Sequence, residues 1–403
     1  MNQSEPDSLA IKITLLLTST LTVMSGATIA PSLPAMQEHF AQVPNSELLV
    51  RLVLTVPALF IAIGGLFVGQ LLDRLGRKPL LIASTLLYGF AGGSGLVLNS
   101  LGTLLVGRAI LGLAVAGIMT GVTTLIADYY TGQKRADFMG LQAAFMGLGG
   151  VAFLSVGGLV ADLNWRFPFL IYFSAWVITA AMPSASYAIA ITLYEPKRAG
   201  SDRTGSELAD NSRMPTGILA MIYSVALFYM LAFYLIPVQL PFYLRNLSNA
   251  SASASGLAIA ASTLASSIAS LRYGFVKKRL SFVTIVVVSF GVAAIGYLII
   301  GLAASYNLVL LGLIVAGLGF GLLMPNLNVW LSSMIPDTLR GRALGGLTTF
   351  FFLGQFLSPI VSQPITNIVG LDRTYMTTGI ALLIIAIAFR VLKNQIKSFC
   401  QNC

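Results

Sequence analysis

The sequence is poor in the residues that enzymes use for chemistry and in the charges that soluble proteins display. It contains 1 histidine and 2 cysteines in 403 residues, and only 9% of its residues are charged. It has no Gly-x-Ser-x-Gly nucleophile motif, no His/Cys metal cluster and no Walker-type phosphate loop. Both cysteines, Cys400 and Cys403, lie in the last few residues, where we expect a reduced tail. We predict that the protein is not an enzyme and uses no metal or cofactor.

Long apolar runs account for most of the chain. Hydrophobic residues make up 56% of it, and its mean hydropathy is +0.85. Because about 20 apolar helical residues cross a bilayer core, the runs predict an all-α membrane protein with 12 transmembrane helices. The acidic flank Met1–Asp7 argues against a cleaved signal peptide. The predicted spans are residues 11–33, 48–72, 79–98, 101–127, 138–161, 167–193, 217–243, 254–275, 281–302, 306–334, 342–364 and 374–395.

The basic residues are distributed unevenly between the two sides of these spans. With the N-terminus inside, most of the 24 Lys and Arg residues fall on the cytoplasmic side, and only Arg108 falls well within a span, away from its ends. The outer side receives Arg51, Arg166, Arg245 and Arg373. Cytoplasmic loops of membrane proteins are enriched in Lys and Arg, so we predict a multi-pass protein of the inner or plasma membrane with both termini cytoplasmic. The net charge of +10 then reflects topology, and we expect no nucleic-acid partner.

The chain contains an internal repeat of six spans. The segment Leu111–Gly121 matches Leu311–Gly321 at seven of eleven positions, and a polar interval at Glu195–Pro215 separates the two halves. Such repeats are typical of two-lobed transporters whose substrate site lies between the lobes. We predict an N-terminal six-helix lobe (1–194), a cytoplasmic linker (195–216), a C-terminal six-helix lobe (217–395) and a cytoplasmic tail (396–403).

A charged turn lies between the second and third spans, where the sequence reads G-Q-L-L-D-R-L-G-R-K from Gly69 to Lys78. Gly69 and Gly76 permit a tight turn, and Asp73 is suited to complement the positive end of a helix dipole. A plain positive-inside loop would explain the basic residues but not the aspartate and the glycines. The segment resembles the signature of the major facilitator superfamily, G-x-L-x-D-R-x-G-R-[RK].

This resemblance implies a gating role for the turn. In the family the aspartate, here Asp73, faces the N-terminus of span 11, and the second arginine, here Arg77, pairs with an acid at the end of span 4, here Asp128. The pairings hold the lobes together in the outward-facing state. We refer to the predicted gating residues as the latch; they are Gly69, Asp73, Arg74, Gly76, Arg77, Lys78 and Asp128.

Arg108 is the one charged residue predicted well within a span, away from its ends. A charged side chain at mid-membrane costs about 2.5 kcal/mol or more on insertion scales, so it usually faces a cavity or a partner. The pattern from Leu104 to Gly112 is similar to the family's span-4 motif, which implies that Arg108 handles protons or substrate charge. The alternative is that its side chain extends to the nearer membrane surface.

Polar side chains within the spans are candidates for a substrate cavity. Several hydroxyl residues of span 1 repeat at helical spacing and so share one helix face, although such a stripe also serves helix packing. The family resemblance implies that spans 1, 4, 7 and 10 line the cavity. A lining of hydroxyls, amides and aromatic rings suits a neutral, amphipathic or anionic ligand. The candidates are Thr18, Thr22, Ser25, Gln142, Tyr223, Tyr229, Gln239, Asn326, Asn328 and Gln355.

Together these features predict a monomeric secondary transporter that moves a small molecule by alternating access. The resemblance is greatest to bacterial drug:proton antiporters, which implies proton-linked export of an amphipathic compound. Uptake or facilitated passage of a metabolite remains open, because no Asp or Glu lies deep in a span and Phe153 and Leu154 replace the Gly-Pro pair typical of antiporters. Coupling to an ion other than the proton and a non-transporting sensor or assembly factor are further alternatives.

Overall fold

The described residues of the first half of the chain form seven α-helices. The computed structural model describes residues 9–181 and 216–395. Three short 3-10 segments, Ala30–Ser32, Ser94–Leu96 and Phe167–Phe173, adjoin these helices. The helices are α1 (Leu9–Ala27), α2 (Leu33–His39), α3 (Ser46–Leu75), α4 (Arg77–Gly93), α5 (Leu101–Tyr129), α6 (Gly132–Leu163) and α7 (Ser174–Ala181).

The described part of the second half adds eight helices. Two begin after a serine whose hydroxyl accepts a hydrogen bond from a backbone N–H of the first turn, Ser251 and Ser281. The helices are α8 (Thr216–Ser248), α9 (Ala252–Leu271), α10 (Tyr273–Lys277), α11 (Phe282–Gly301), α12 (Tyr306–Gly321), α13 (Leu323–Met334), α14 (Asp337–Val369) and α15 (Leu371–Val391).

The helices confirm the predicted all-α membrane fold. Eleven segments of the described residues are long and apolar enough to cross a membrane. The predicted span 167–193 begins with the shorter apolar segment Phe167–Ala180, and its remainder lies outside the described residues. The predicted linker likewise lies outside them, apart from Thr216.

The helices form two bundles that meet along two seams. Helices α1 to α7 pack together, as do α8 to α15, and the bundles join where α3 meets α14 and where α6 meets α9. We call the end of the molecule with residues 40–45, 164–166, 249–251 and 370 the distal face. The opposite end, where α8 begins after the linker, is the linker face.

The first predicted span is broken in the structure. The sequence predicts one helix over 11–33, whereas α1 ends at Ala27 and α2 begins only at Leu33. Pro31 and Pro34 lack backbone N–H groups and each lies in the first turn of a new helical segment, where that loss is tolerated. The break leaves carbonyl groups near Ala27 free to bond with other helices.

Equivalent glycines bring helices together in both bundles. A Cβ atom on Gly112 would collide with the carbonyl oxygen of Pro57, and one on Gly312 would lie 2.7 Å from the carbonyl oxygen of Gly296. Small residues permit such close backbone approach within a membrane. The matching segments Leu111–Gly121 and Leu311–Gly321 therefore both pack tightly against neighbours within their own bundles.

One glycine of the predicted latch has a conformational role and the other does not. Gly76 joins α3 to α4 with φ +84° and ψ 163°, a region that is almost closed to other residues. Gly69 lies within α3, and a Cβ atom there would meet open space. The prediction that both glycines form the turn was therefore wrong for Gly69.

The contrast between these glycines predicts different effects on stability. Gly76→Ala should lower stability by about 1–3 kcal/mol, because alanine is strained at this φ and ψ. Gly69→Ala should leave the melting temperature unchanged or slightly raised, since alanine favours a helix. Thermal melting of both variants in the same detergent tests this, and equal melting temperatures would contradict the assigned role of Gly76.

Candidate functional site

A cavity of about 420 Å³ lies between the two bundles. Its walls are predominantly apolar and include four methionines, Met119, Met146, Met230 and Met324. Phe233, Phe351 and Phe352 add aromatic surface from the second bundle. None of the described residues that line it is charged. The cavity is therefore suited to enclose a compound with a large apolar surface.

A few polar side chains interrupt the apolar walls. Gln355 and Tyr234 approach α1 at Gly26, where a Cβ atom would lie 2.6 Å from the Tyr234 hydroxyl and 3.5 Å from Gln355 Nε2. The absence of a side chain at Gly26 thus lets both groups of the second bundle face α1. The other polar lining residues are Thr22, Ser25, Ser262, Thr263 and Thr348.

Three of the ten predicted cavity residues line this cavity, namely Thr22, Ser25 and Gln355. The other seven are not in its lining. Two bond within their own helices, Thr18 to the carbonyl of Thr14 and Asn328 to the carbonyl of Met324. Three bond to other helices or their ends, Gln142 to Ser19, Tyr223 to the carbonyl of Ala343 and Asn326 to the carbonyl of Phe282. Tyr229 packs among Phe233, Phe320 and Phe351, and Gln239 lies nearer the distal face.

The methionine and phenylalanine walls were not identified from the sequence. Apolar residues at helical spacing look the same whether they face lipid, a packed core or a cavity. The predicted candidates were polar side chains, which form the minority of the lining, and most of the surface that a ligand would contact is apolar.

Arg108 is buried within the first bundle. Its side chain is 1% exposed, so it does not extend to a surface as one alternative held. Its Nη1 donates to the Tyr172 hydroxyl at 2.9 Å, and its guanidinium carbon lies 4.6 Å from the Phe169 ring centroid. Cation–π contact and a hydrogen bond thus partly replace lost solvation, although Nη2 has no partner among the described residues.

A hydrogen-bond chain connects Arg108 to the cavity wall. The Tyr172 hydroxyl donates to the backbone carbonyl of Ser25 at 2.9 Å, and Ser25 lines the cavity. This carbonyl belongs to the last turn of α1, whose C-terminal end carries partial negative charge. Arg108 does not itself line the cavity, but its positive charge acts on the broken end of a lining helix through Tyr172.

The latch residues lie at the linker face. Arg77 Nη1 and Asp128 Oδ2 form an ion pair at 2.6 Å, which joins the start of α4 to the end of α5. Arg74 lies exposed in the last turn of α3. The side chains of Asp73 and Lys78 lie outside the described part of the structure. The described pair therefore connects two helices of the same bundle.

Arg51 lies deeper in the protein than predicted. It was assigned to the outer side, but it lies in α3 and is 3% exposed. Its Nε donates to Gln239 Oε1 of the second bundle at 2.9 Å. The spacing of Glu47 and Arg51, one helical turn apart, was a signal that both belong to the start of the helix.

Other contacts also close the distal face. Asp162, at the end of α6, accepts hydrogen bonds from the backbone N–H groups of Ala252 and Ser253 at 2.7 and 3.2 Å. These N–H groups belong to the first turn of α9, so the carboxylate of one bundle complements the dipole of a helix in the other bundle. Arg245 and Glu38 form a more exposed pair across the bundles at 2.6 Å.

Comparisons with known proteins agree with this architecture. The model of the Major Facilitator Superfamily matches residues 15–237 and 222–397. The quinolone resistance protein NorA of Staphylococcus aureus is 24% identical over 342 residues, covering 83% of this chain and 85% of NorA.

Solved structures give the same result for the fold. A bacterial homologue of the human lysosomal transporter Spinster, in an inward-facing and occupied conformation, superposes with a TM-score of 0.77 at 17% identity over 98% of both chains. A D-xylose–proton symporter superposes with a TM-score of 0.75 at 16% identity, covering 94% of this chain and 96% of the symporter. The family match extends over nearly the whole chain, and the chain therefore belongs to the Major Facilitator Superfamily of membrane transporters.

Proposed function

We propose that the protein exports a small amphipathic compound by alternating access, in exchange for protons. The observation that carries this proposal is the largely apolar cavity between the two bundles. A site between two repeats is reached from opposite sides of the membrane when the repeats rock against each other. The likeness to a quinolone resistance protein over most of both chains adds support for export of a drug-like compound.

The chemistry of the walls supports an amphipathic substrate. Methionine side chains are flexible and polarisable, so they adapt to ligands of different shape. Phe233, Phe351 and Phe352 offer ring faces for an aromatic compound, while Gln355 and Tyr234 offer hydrogen bonds to its polar end. A strongly hydrated sugar would leave most of these apolar walls unmatched.

We assign the linker face to the cytoplasm and the distal face to the outside of the plasma membrane. Basic residues cluster at the linker face, including Arg74, Arg77, Arg135 and Lys277, in agreement with the positive-inside pattern. Both termini are then cytoplasmic. The contacts that close the distal face support an inward-facing conformation, in which a monomer takes its substrate from the cytoplasmic side.

The latch and Arg108 have separate roles in the alternating-access cycle. The pair of Arg77 and Asp128 holds the latch turn in position for contact with the second bundle when the linker face closes. Arg108 responds to substrate charge or to protonation through Tyr172 and the end of α1, which lines the cavity. Its single described polar partner leaves it free to respond to a nearby change in charge.

The second candidate function is uptake or facilitated passage of a small metabolite. It is favoured by one observation, which is that no carboxylate occurs among the described residues lining the cavity. Proton exchange by a carboxylate in direct contact with substrate is therefore not available to this cavity. The export proposal places coupling at Arg108 and the latch instead.

Transport into liposomes separates the two candidates. Purified protein is reconstituted into vesicles with an acidic lumen, and a fluorescent quinolone is added outside. Proton exchange should accumulate the quinolone above its external concentration and stop when an ionophore removes the pH gradient. Entry of the quinolone only to equal concentrations, with or without the gradient, would favour facilitated passage.

A further inference from the structure

Arg51 is the most deeply buried cation at the distal face among the described residues, and its partners come from both bundles. Its Nη1 donates to Gln37 Oε1 at 2.9 Å and to the backbone carbonyl of Glu47 at 2.7 Å. Its Nε donates to Gln239 Oε1 at 2.9 Å. The guanidinium carbon lies 3.9 Å from the ring centroid of Phe242, also in the second bundle. Cation–π contact and charge-assisted bonds thus tie α3 to α8.

The amide of Gln239 extends this contact to a third helix. Its Nε2 donates to Gln363 Oε1 at 3.0 Å and to Ser362 Oγ at 3.2 Å, both on α14. Gln363 Nε2 in turn donates to Glu47 Oε2 at 3.0 Å, which returns the chain of bonds to α3. Glu47, Arg51, Gln239 and Gln363 therefore form a closed ring that crosses between the bundles twice. We call these four residues the distal ring.

The distal ring lies on the path from the cavity to the distal face. Ile236 and Pro237 line the cavity, and Gln239 is less than one helical turn beyond them toward the distal end of α8. Arg51, Gln239 and Gln363 are 3%, 0% and 4% exposed, whereas Glu47 is exposed, so the ring is buried on its inner side and reaches the surface at Glu47. Opening the distal face requires α3 to separate from α8 and α14, which breaks both crossings.

The ring has the properties of a gate and not of simple packing. Buried polar groups stabilise a structure only when their hydrogen bonds are satisfied, and a partly broken network is costly. When the bundles separate, water enters and replaces the lost bonds, so the ring favours the closed state without preventing the open one. Such a network favours one of two discrete arrangements, as a switching element requires.

We propose that Arg51 is the positioning residue of a gate at the distal face, and that its bond to Gln239 holds the transporter closed on that side. This inference rests on the alternating access proposed above, but not on any particular substrate or coupling ion. Loss of the Arg51 guanidinium should shift the population from the distal-closed toward the distal-open state. Loss of the Gln239 amide should have the same effect, because the two groups share one contact.

Distances between spin labels measure this shift directly. Cys400 and Cys403 are first replaced by serine, and one exposed label pair is placed at Gln42 and Asn246 across the distal face. A second pair at Gln133 and Leu271 spans the linker face. Neither measurement requires a substrate, so failure of the gate is distinguishable from failure of the export proposal.

In Arg51→Gln and Gln239→Leu, the ratio of long to short distances across the distal face should rise at least tenfold, and the linker-face distances should shorten in parallel. The ratio in the double variant should be no higher than in the single variant with the larger change, because the two residues act through one bond. Arg51→Lys keeps the charge but lacks the planar guanidinium group, so its ratio of long to short distances should lie between those of wild type and Arg51→Gln.

Arg245→Gln is the matched control, since it removes another cation that bridges the bundles at the distal face. Its pair with Glu38 is largely exposed and should contribute little, so the distances should stay as in wild type. The proposal is overturned if folded Arg51→Gln or Gln239→Leu keeps the wild-type distances, or if Arg245→Gln shifts them equally. Should Arg51→Gln fail to fold, Gln239→Leu alone decides the matter.

Discussion

Asp128→Asn should reduce transport by about tenfold or more while the protein folds normally. Asparagine keeps the size of the side chain but cannot balance the positive charge of Arg77, which lies 2.6 Å away. A hydrogen bond between charged groups contributes roughly 1.5–3 kcal/mol, which corresponds to a factor of ten or more. The neighbouring Arg135 would also lose a favourable electrostatic interaction. Initial uptake rates of a fluorescent quinolone into liposomes measure the effect.

A nearby carboxylate provides the control for this change. Asp137 lies exposed on α6 at the linker face, where it accepts a hydrogen bond from Gln133 at 2.8 Å. Asp137→Asn should transport at the wild-type rate because the side chain is outside the latch. Asp73→Asn should behave like Asp128→Asn, as the family resemblance implies. Unchanged transport by Asp73→Asn and Asp128→Asn would remove the gating role assigned to the latch.

Thr263→Trp should abolish substrate binding by filling the cavity. Thr263 lies on α9 among the lining residues, so an indole there occupies space that a ligand needs. The native hydroxyl donates to the carbonyl of Ile259 at 3.0 Å within the same helix, so its loss removes no described hydrogen bond between helices. We expect a loss of quinolone affinity of about tenfold or more, measured by titration of the detergent-solubilised protein.

Thr123 is a close match for Thr263 outside the cavity. Its hydroxyl bonds to the carbonyl of Met119 at 2.8 Å, also four residues earlier in its helix, but the side chain is exposed. Thr123→Trp should therefore bind the quinolone as wild type does. Equal affinities for Thr263→Trp and wild type would show that this cavity is not where the compound binds.

The fold was largely predictable because the membrane restricts it so strongly. Apolar runs long enough to cross a bilayer must form helices, since unpaired backbone groups are too costly in lipid. The repeat between Leu111–Gly121 and Leu311–Gly321 indicated two bundles. The break after Ala27 was missed because the apolar run 11–33 continues through it, whereas Pro31 and Pro34 each lie in the first turn of a new helical segment.

The site was less predictable because it depends on which helix faces meet. Polar residues such as Gln239 and Asn326 were assigned to the cavity by type, yet they bond to partners nearer to either end of the molecule. Arg51 was assigned to the outer side by its charge, and its contacts with Gln239 and Phe242 of α8 explain its burial. The pair of Arg77 and Asp128 was found because a specific signature, not composition, pointed to both residues.

The central claim is that substrate movement and proton movement are coupled in this protein. The most direct test loads liposomes with a pH-sensitive dye and imposes a quinolone gradient with no initial pH difference. Coupled exchange should move protons against the quinolone, so that entry of quinolone acidifies the outside and raises the luminal pH. The signal should vanish in Thr263→Trp vesicles. Quinolone entry at the wild-type rate with a constant luminal pH would contradict the claim.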